Sequence, residues 1–173
     1  MKKVIVLVTL LALFFLGFNA NAQSKIKLAH VNSTELMKMM PGVDTAQKVI
    51  QDFAKELEDE LSTMRAEFEK KYADFQANQA TMSQSLQQVR MKELQDLDSR
   101  INLFQEQAQT DLQEKQEELL KPIIDKAKNA IEEVAKENGY NYVFDTRMDM
   151  GVVLYSEESD NILSLVKKKL GIK

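Results

Sequence analysis

A long stretch with almost no helix breakers constrains this chain more than any other feature of its sequence. Residues 43–138 contain no glycine and a single proline, Pro122, whereas Pro41-Gly42 precedes the stretch and Gly139 follows it. Because strong helix formers dominate the interior, we expect the whole stretch to be helical. Its first half carries a stripe of apolar residues at steps of three and four: Ala46, Ile50, Phe53, Leu57, Leu61, Met64, Phe68, Tyr72 and Phe75. A stripe only one side chain wide needs a partner helix to bury it.

The middle of the stretch predicts a reversal of the chain. Residues 75–89 carry no charge and include Asn78, Thr81, Ser83 and Ser85, which favour caps and turns over helix interiors. We therefore place a tip at 77–85, which makes residues 43–121 an antiparallel helical hairpin, here called the arm. One continuous helix in a parallel coiled coil is the alternative that the sequence leaves open.

Pro122 is the one proline inside the predicted helices. It removes a backbone hydrogen bond and crowds the carbonyl of Glu118, so we expect a kink or break there. We interpret Pro122 as the joint between the arm and the rest of the protein.

Short β-type segments occur at both ends of the chain. KIKLAHVN (25–32) alternates apolar and polar residues and precedes a short helix over 34–40, which Asn32 or Ser33 can cap. YNYVFD (140–145) and GVVLY (151–155) are two further runs, which we expect to pair as a hairpin, and Ser159 or Asp160 can cap a final amphipathic helix. These ends, residues 23–42 and 122–173, predict a small β-containing body from which the arm projects, so the fold class is α+β and mostly α.

Three short strands leave open sheet edges, which favours completion of the body by self-association. The candidate residues for this oligomer contact are the apolar ones of the strands. They are Ile26, Leu28, Val31, Val143, Phe144, Val152 and Leu154.

The N-terminus has the pattern of a secretory signal. Lys2-Lys3 precede an apolar run over 4–16, and small residues precede a cleavage site after Ala22. We expect a signal peptide over 1–22 and an exported mature protein. An uncleaved membrane anchor is the alternative, although the apolar run is shorter than the ~20 residues of a membrane span.

The composition argues against most kinds of catalysis. Cysteine is absent, and His30 is the one histidine, so thiolate chemistry, cysteine-based zinc sites and a Ser-His-Asp triad are excluded or unsupported. The acidic clusters lack the spacing of a calcium loop and no glycine-rich phosphate loop occurs. We expect no enzyme activity, no cofactor and no metal.

The net charge argues against a nucleic-acid partner. Without the two leader lysines, 21 basic residues face 27 acidic ones, so the net charge falls from −4 to −6, whereas nucleic-acid binders carry a basic face. Methionines and aromatic residues of the arm instead suggest contact with varied apolar partners, because methionine adapts to irregular surfaces. Packing between the arm helices is the alternative for any of them. The candidates are Met64, Phe68, Tyr72, Phe75, Met82 and Met91.

The chain resembles the Skp/OmpH family of periplasmic chaperones. The resemblance is carried by KIKLAHVN, by the long charged hairpin, and by the ending NGYNYVFDTRMDMGVVLYSEESDNILSLVKKKL. It implies a homotrimer shaped like a jellyfish, whose three helical tentacles enclose a cavity. It also implies an ATP-independent holdase of the Gram-negative periplasm that keeps unfolded outer-membrane β-barrel proteins from aggregating.

This chain departs from the strongly basic members of that family. Its isoelectric point is near 5.2 and its predicted tip is uncharged, so binding of lipopolysaccharide is not carried over. An exported coiled-coil spacer or adaptor with one specific partner is the second functional hypothesis. A narrow partner range would distinguish it from a holdase.

Overall fold

A long helical hairpin and a small body make up the fold. The computed structural model describes residues 26–147 and 153–172, so the predicted signal peptide lies outside the described residues. In chain order the helices and strands are β1 (Leu28–Val31), α1 (Ser33–Met39), α2 (Val43–Asn78), α3 (Gln84–Glu137), β2 (Tyr142–Asp145) and α4 (Leu163–Leu170). Short 3-10 turns occur at Gln79–Thr81 and Glu158–Asp160. The mostly helical α+β fold class is confirmed.

Helices α2 and α3 form the arm, and the chain reverses between them at 79–83. The continuous-helix alternative is therefore wrong. The Oγ of Ser83 accepts a hydrogen bond from the amide of Leu86 and so caps α3. The side-chain amide of Gln87 donates to the carbonyls of Gln79 and Met82, at 2.9 and 3.2 Å. These bonds satisfy backbone groups that a reversal would otherwise leave without partners.

Of the kink or break expected at Pro122, the break is wrong. Helix α3 runs through Pro122 without interruption and has 54 residues. Both Pro122 and Glu118 are exposed, so water can satisfy the Glu118 carbonyl that the proline leaves without an amide donor. The cost of a proline is lower on an exposed helix face than it would be in a buried helix.

The sheet consists of the two described strands, β1 and β2, which run parallel. Leu28 lies opposite Tyr142, and the register continues to Val31 opposite Asp145. The long hairpin separates the strands in sequence, and α3 provides the long crossover that parallel pairing requires. The other edge of β1 is covered at one point, where the amide of Ile162 donates to the carbonyl of His30 at 3.0 Å.

The strand predicted over 151–155 is wrong for residues 153–155. Residues 153–155 form no strand, and the rest of that run lies outside the described residues. Leu154 and Tyr155 are 94% and 81% exposed. The apolar run that suggested a strand therefore does not place these side chains in the core of the protomer.

The core of the body lies between the inner face of the sheet and the helices around it. Alternation along β1 and the apolar face of the basal part of α3 supply most of it. Its buried residues are Ala29, Val31, Leu36, Met40, Val43, Ala127, Ala130, Val134, Ile162 and Val166. Both ends of the chain therefore share one core, and the arm leaves it through α2 and α3.

Nearby residues cap or end three of the helices. Asn32 caps α1, as its Oδ1 accepts from the amide of Glu35 at 3.1 Å. Gly139 follows α3 with φ +69°, the left-handed conformation that glycine adopts at helix ends. The predicted cap of α4 is wrong, because Ser159 and Asp160 belong to the 3-10 turn and the side chain of Asn161 accepts from the amide of Leu163.

Candidate interaction surfaces

The outward-facing side of the sheet exposes a group of large apolar side chains. Residues at alternate positions of a strand share one face, so Leu28 and Tyr142 lie on the same side as Phe144. They are 46%, 60% and 41% exposed, and the rings of Tyr142 and Phe144 stack with their centroids 6.4 Å apart. We call this side the outer sheet face.

Leu154 and Tyr155 extend the outer sheet face. Together with Leu28, His30 and Phe144 they line a cavity of about 370 Å³ beside β1. Side chains this exposed and this apolar, grouped on one side of a small body, are typical of a protein interface.

His30 is buried at the edge of this surface, with 8% of its area exposed. Its Nε2 lies 2.9 Å from the carbonyl oxygen of Glu157, so Nε2 carries the hydrogen and donates it. No described group bonds its Nδ1. His30 thus ties β1 to the segment that precedes α4, which is a structural role.

Ser33, Asp145 and Arg147 form a polar cluster at the other side of the sheet. The carboxylate of Asp145 accepts from the amide and the hydroxyl of Ser33 at 3.1 and 2.7 Å, and from the amide of Arg147 at 3.2 Å. The Nε of Arg147 lies 2.7 Å from the same carboxylate. Burial by itself raises the pKa of Asp145, but the hydrogen bonds from Ser33 and Arg147 outweigh it, so the pKa lies below its ordinary value.

The predicted oligomer-contact residues fall into different environments. Ile26, Leu28, Phe144 and Leu154 are exposed, while Val143 is half-buried and Val31 is 3% exposed within the protomer core. Val152 lies outside the described residues. Tyr142 and Tyr155 were missed, although Tyr142 could have been found because it is two positions from Phe144 and so shares its face.

The predicted contact residues of the arm are also divided. Tyr72 and Met91 are 45% and 49% exposed, whereas Phe75 is buried. Met64, Phe68 and Met82 are half-buried, and the rings of Phe68 and Tyr72 stack at 6.0 Å. The burial of Phe75 favours the packing alternative for that residue. Further exposed apolar residues of α3 are Leu86, Val89 and Leu103.

Residues 26–147 and 153–172 contain no candidate membrane span and no candidate metal cluster. No described helix has the length and apolarity needed to cross a membrane. No group of three histidine or acidic side chains among these residues lies close enough together to hold a metal ion.

Comparisons with known proteins indicate the same family. A model of the family described as outer membrane protein (OmpH-like) matches residues 27–170. The chain is 26% identical over 159 residues to the chaperone protein Skp of Photorhabdus luminescens, covering 90% of this chain and 92% of that protein. The Skp of Photorhabdus laumondii subsp. laumondii shows the same identity and coverage.

A solved structure supports the fold independently. The crystal structure of an OmpH-like protein of Caulobacter crescentus CB15 superposes with a TM-score of 0.67 at 12% identity, over 83% of this chain and 82% of that one. The predicted family resemblance is confirmed. The chain belongs to the OmpH-like family of Skp chaperones, which is a family of periplasmic chaperones and not of enzymes.

Proposed function

We propose that this protein is an ATP-independent holdase that binds unfolded outer-membrane β-barrel proteins and prevents their aggregation. The observation that carries the proposal is the exposure of apolar side chains along an arm that projects from the body. Tyr72, Met91 and Leu103 are 45–66% exposed on helices that are otherwise polar. Dispersed apolar contacts of this kind suit an unfolded chain, which presents many apolar side chains in no fixed arrangement.

The proposed assembly is a homotrimer held together through the outer sheet face. Leu28, Tyr142, Phe144, Leu154 and Tyr155 supply an apolar surface that a single chain leaves in water. A cyclic arrangement would bury this surface and cover the open edges of a two-stranded sheet. Three arms would then surround one cavity.

The proposed mechanism uses many weak contacts. A client held by several arms at once rebinds before it escapes, so contacts that are weak singly retain it together. Release needs no nucleotide, because a client that folds buries the apolar side chains that the arms contact. The signal peptide would direct the chain to the periplasm and be removed by cleavage after Ala22, which mass spectrometry of the exported protein can establish.

Light scattering coupled to size exclusion tests the proposal. The mature protein is run alone and then with a urea-unfolded outer-membrane β-barrel diluted into buffer. We expect a trimer mass alone and a complex of three chains with one client. A variant in which residues 76–88 are replaced by a short turn should keep the trimer mass and protect less client. A monomer that lets the client aggregate would contradict the proposal and favour a spacer with one specific partner.

A further inference from the structure

The seam between the arm helices is closed at its two ends and open in the middle. Near the tip Phe75, Leu94, Leu97 and Ile101 are buried, and near the base Val43 and Ala46 are buried. Between these zones, from 47 to 74 on α2 and from 102 to 126 on α3, every side chain is at least partly exposed.

The open part contains an apolar groove. Ala54, Leu57 and Leu61 of α2 face Ala108 and Leu112 of α3 around a cavity of about 260 Å³. The two alanines leave this space, because the stripe has leucine or phenylalanine at neighbouring positions. The volume is several times the ~30 Å³ of a water molecule in the liquid, so the groove can accept an aliphatic or aromatic side chain. We call it the mid-arm groove.

Polar side chains border the groove. Glu58, Gln105 and Gln109 line its sides. At its distal end the guanidinium of Arg65 donates to the Oε1 of Gln105 at 3.2 Å and bridges the two helices. A ligand in the groove would therefore meet an apolar floor and a carboxylate at its rim.

The negative charge of the arm is concentrated in the half that contains this groove. The half of the arm next to the body, residues 43–64 and 104–121, has eleven acidic and four basic residues, a net charge of −7, which becomes −6 when Arg65 at the end of the groove is included. The half towards the tip, residues 65–103, has six of each and is neutral. These counts already include Lys48, Lys115 and Lys121, each of which pairs with a carboxylate of its own helix.

We propose that the mid-arm groove binds apolar side chains of unfolded polypeptide segments that also carry lysine or arginine. The inference rests on the proposed holdase function and names the part of the client that the arm selects. Charge complementarity supports it, since Glu58 at the rim and the net negative charge of this half of the arm attract a cationic segment and repel an acidic one. The same charge disfavours a second copy of this arm as the occupant, because two surfaces of net charge −7 would repel each other.

Peptide binding to the full mature protein tests the proposal. The probes are two fluorescent serine- and glycine-rich peptides of equal length, with paired leucines flanked either by lysines or by glutamates. We expect the Leu/Lys peptide to bind at least about fivefold more tightly than the Leu/Glu peptide. The preference should disappear at about 1 M salt, where the Debye length is about 3 Å.

Two pairs of variants separate the groove from the rest of the arm. Ala108→Leu fills the groove and should weaken the Leu/Lys peptide by about tenfold, which corresponds to about 1.4 kcal/mol, whereas Ala73→Leu on the exposed distal arm should not. Glu58→Lys should reduce the preference for the Leu/Lys peptide, whereas Glu69→Lys in the neutral half should leave it. The second pair decides the question if Ala108→Leu disturbs the fold.

Equal binding of both peptides, or equal effects of the groove and control variants, would overturn the proposal. A change in oligomer mass on Ala108→Leu would also overturn it, since a second copy would then occupy the groove. Suppression of β-barrel aggregation is measured on the same samples. If wild-type protein suppresses aggregation without discriminating the peptides, the groove proposal fails and the holdase function stands.

Discussion

The hydroxyl of Ser33 donates a 2.7 Å hydrogen bond to the Oδ2 of Asp145, and this bond joins residues 112 positions apart. Ser33 begins α1 and Asp145 ends β2. The bond therefore connects two parts of the body that the arm separates in sequence. The second oxygen of the carboxylate accepts from the amides of Ser33 and Arg147. One side chain therefore connects the two ends of the chain that form the common core.

We expect Asp145→Asn to lower the free energy of unfolding by about 1–3 kcal/mol, because the amide replaces one acceptor oxygen by a donor group that faces the donors of Ser33 and Arg147. Urea unfolding at a fixed protein concentration measures the change. Asp52→Asn is the matched control, because Asp52 pairs with Lys48 on the exposed surface of α2 and should change stability by less than about 1 kcal/mol. Equal losses in the two variants would contradict the structural role of Asp145.

The same carboxylate predicts a pH dependence. Its pKa in the folded protein lies below the ordinary value of 3.8, so it contributes stability above that value and loses the contribution as pH falls through the folded pKa. The stability difference between wild type and Asp145→Asn should therefore be largest near neutral pH and shrink below pH 3.8. Urea unfolding across this range measures it. A difference that stays constant with pH would show that the charge of Asp145 is not involved.

The sequence predicted the helices better than the contacts between strands. Alternating steps of three and four define α2 locally, and the polar run around Asn78 and Ser83 defines the reversal, so both follow from neighbouring residues. The pairing of β1 with β2 depends on where α3 returns the chain. A local pattern cannot report this, and residues 153–155 were assigned to a strand that they do not form.

The individual surface residues were harder to predict for the same reason. Phe75 is buried and Tyr72 is 45% exposed, although both belong to one apolar stripe. Which of them is covered depends on the facing residues of α3, and the sequence of α2 contains no information about that register. Tyr155 belongs to an apolar run that suggested a strand, but it is an exposed residue that extends the outer sheet face.

Substitutions in the outer sheet face should weaken the assembly of protomers without unfolding the protomer. Replacing both Leu154 and Tyr155 by serine should reduce the mass of the proposed trimer towards that of a monomer, because these side chains are 94% and 81% exposed in the protomer and can pack against another chain. Helix content by circular dichroism should stay unchanged. Leu103→Ser, at a 66% exposed position of the arm, is the control and should leave the mass as it is. An unchanged mass in the double variant would exclude this part of the face from the assembly.

Pro122 predicts a further effect, because α3 continues through it. Pro122→Ala restores an amide donor for the carbonyl of Glu118 and should raise the free energy of unfolding, by at most about 3 kcal/mol. Hydrogen exchange around residues 118–126 should become slower, whereas Gln116→Ala on the same helix should leave that exchange unchanged.

If Pro122 is also the joint of the arm, spin labels at cysteines introduced at Ala80 and Lys168 should give a narrower distance distribution in Pro122→Ala. The absence of native cysteine makes this labelling specific, and an unchanged distribution would mean that the arm does not bend at Pro122.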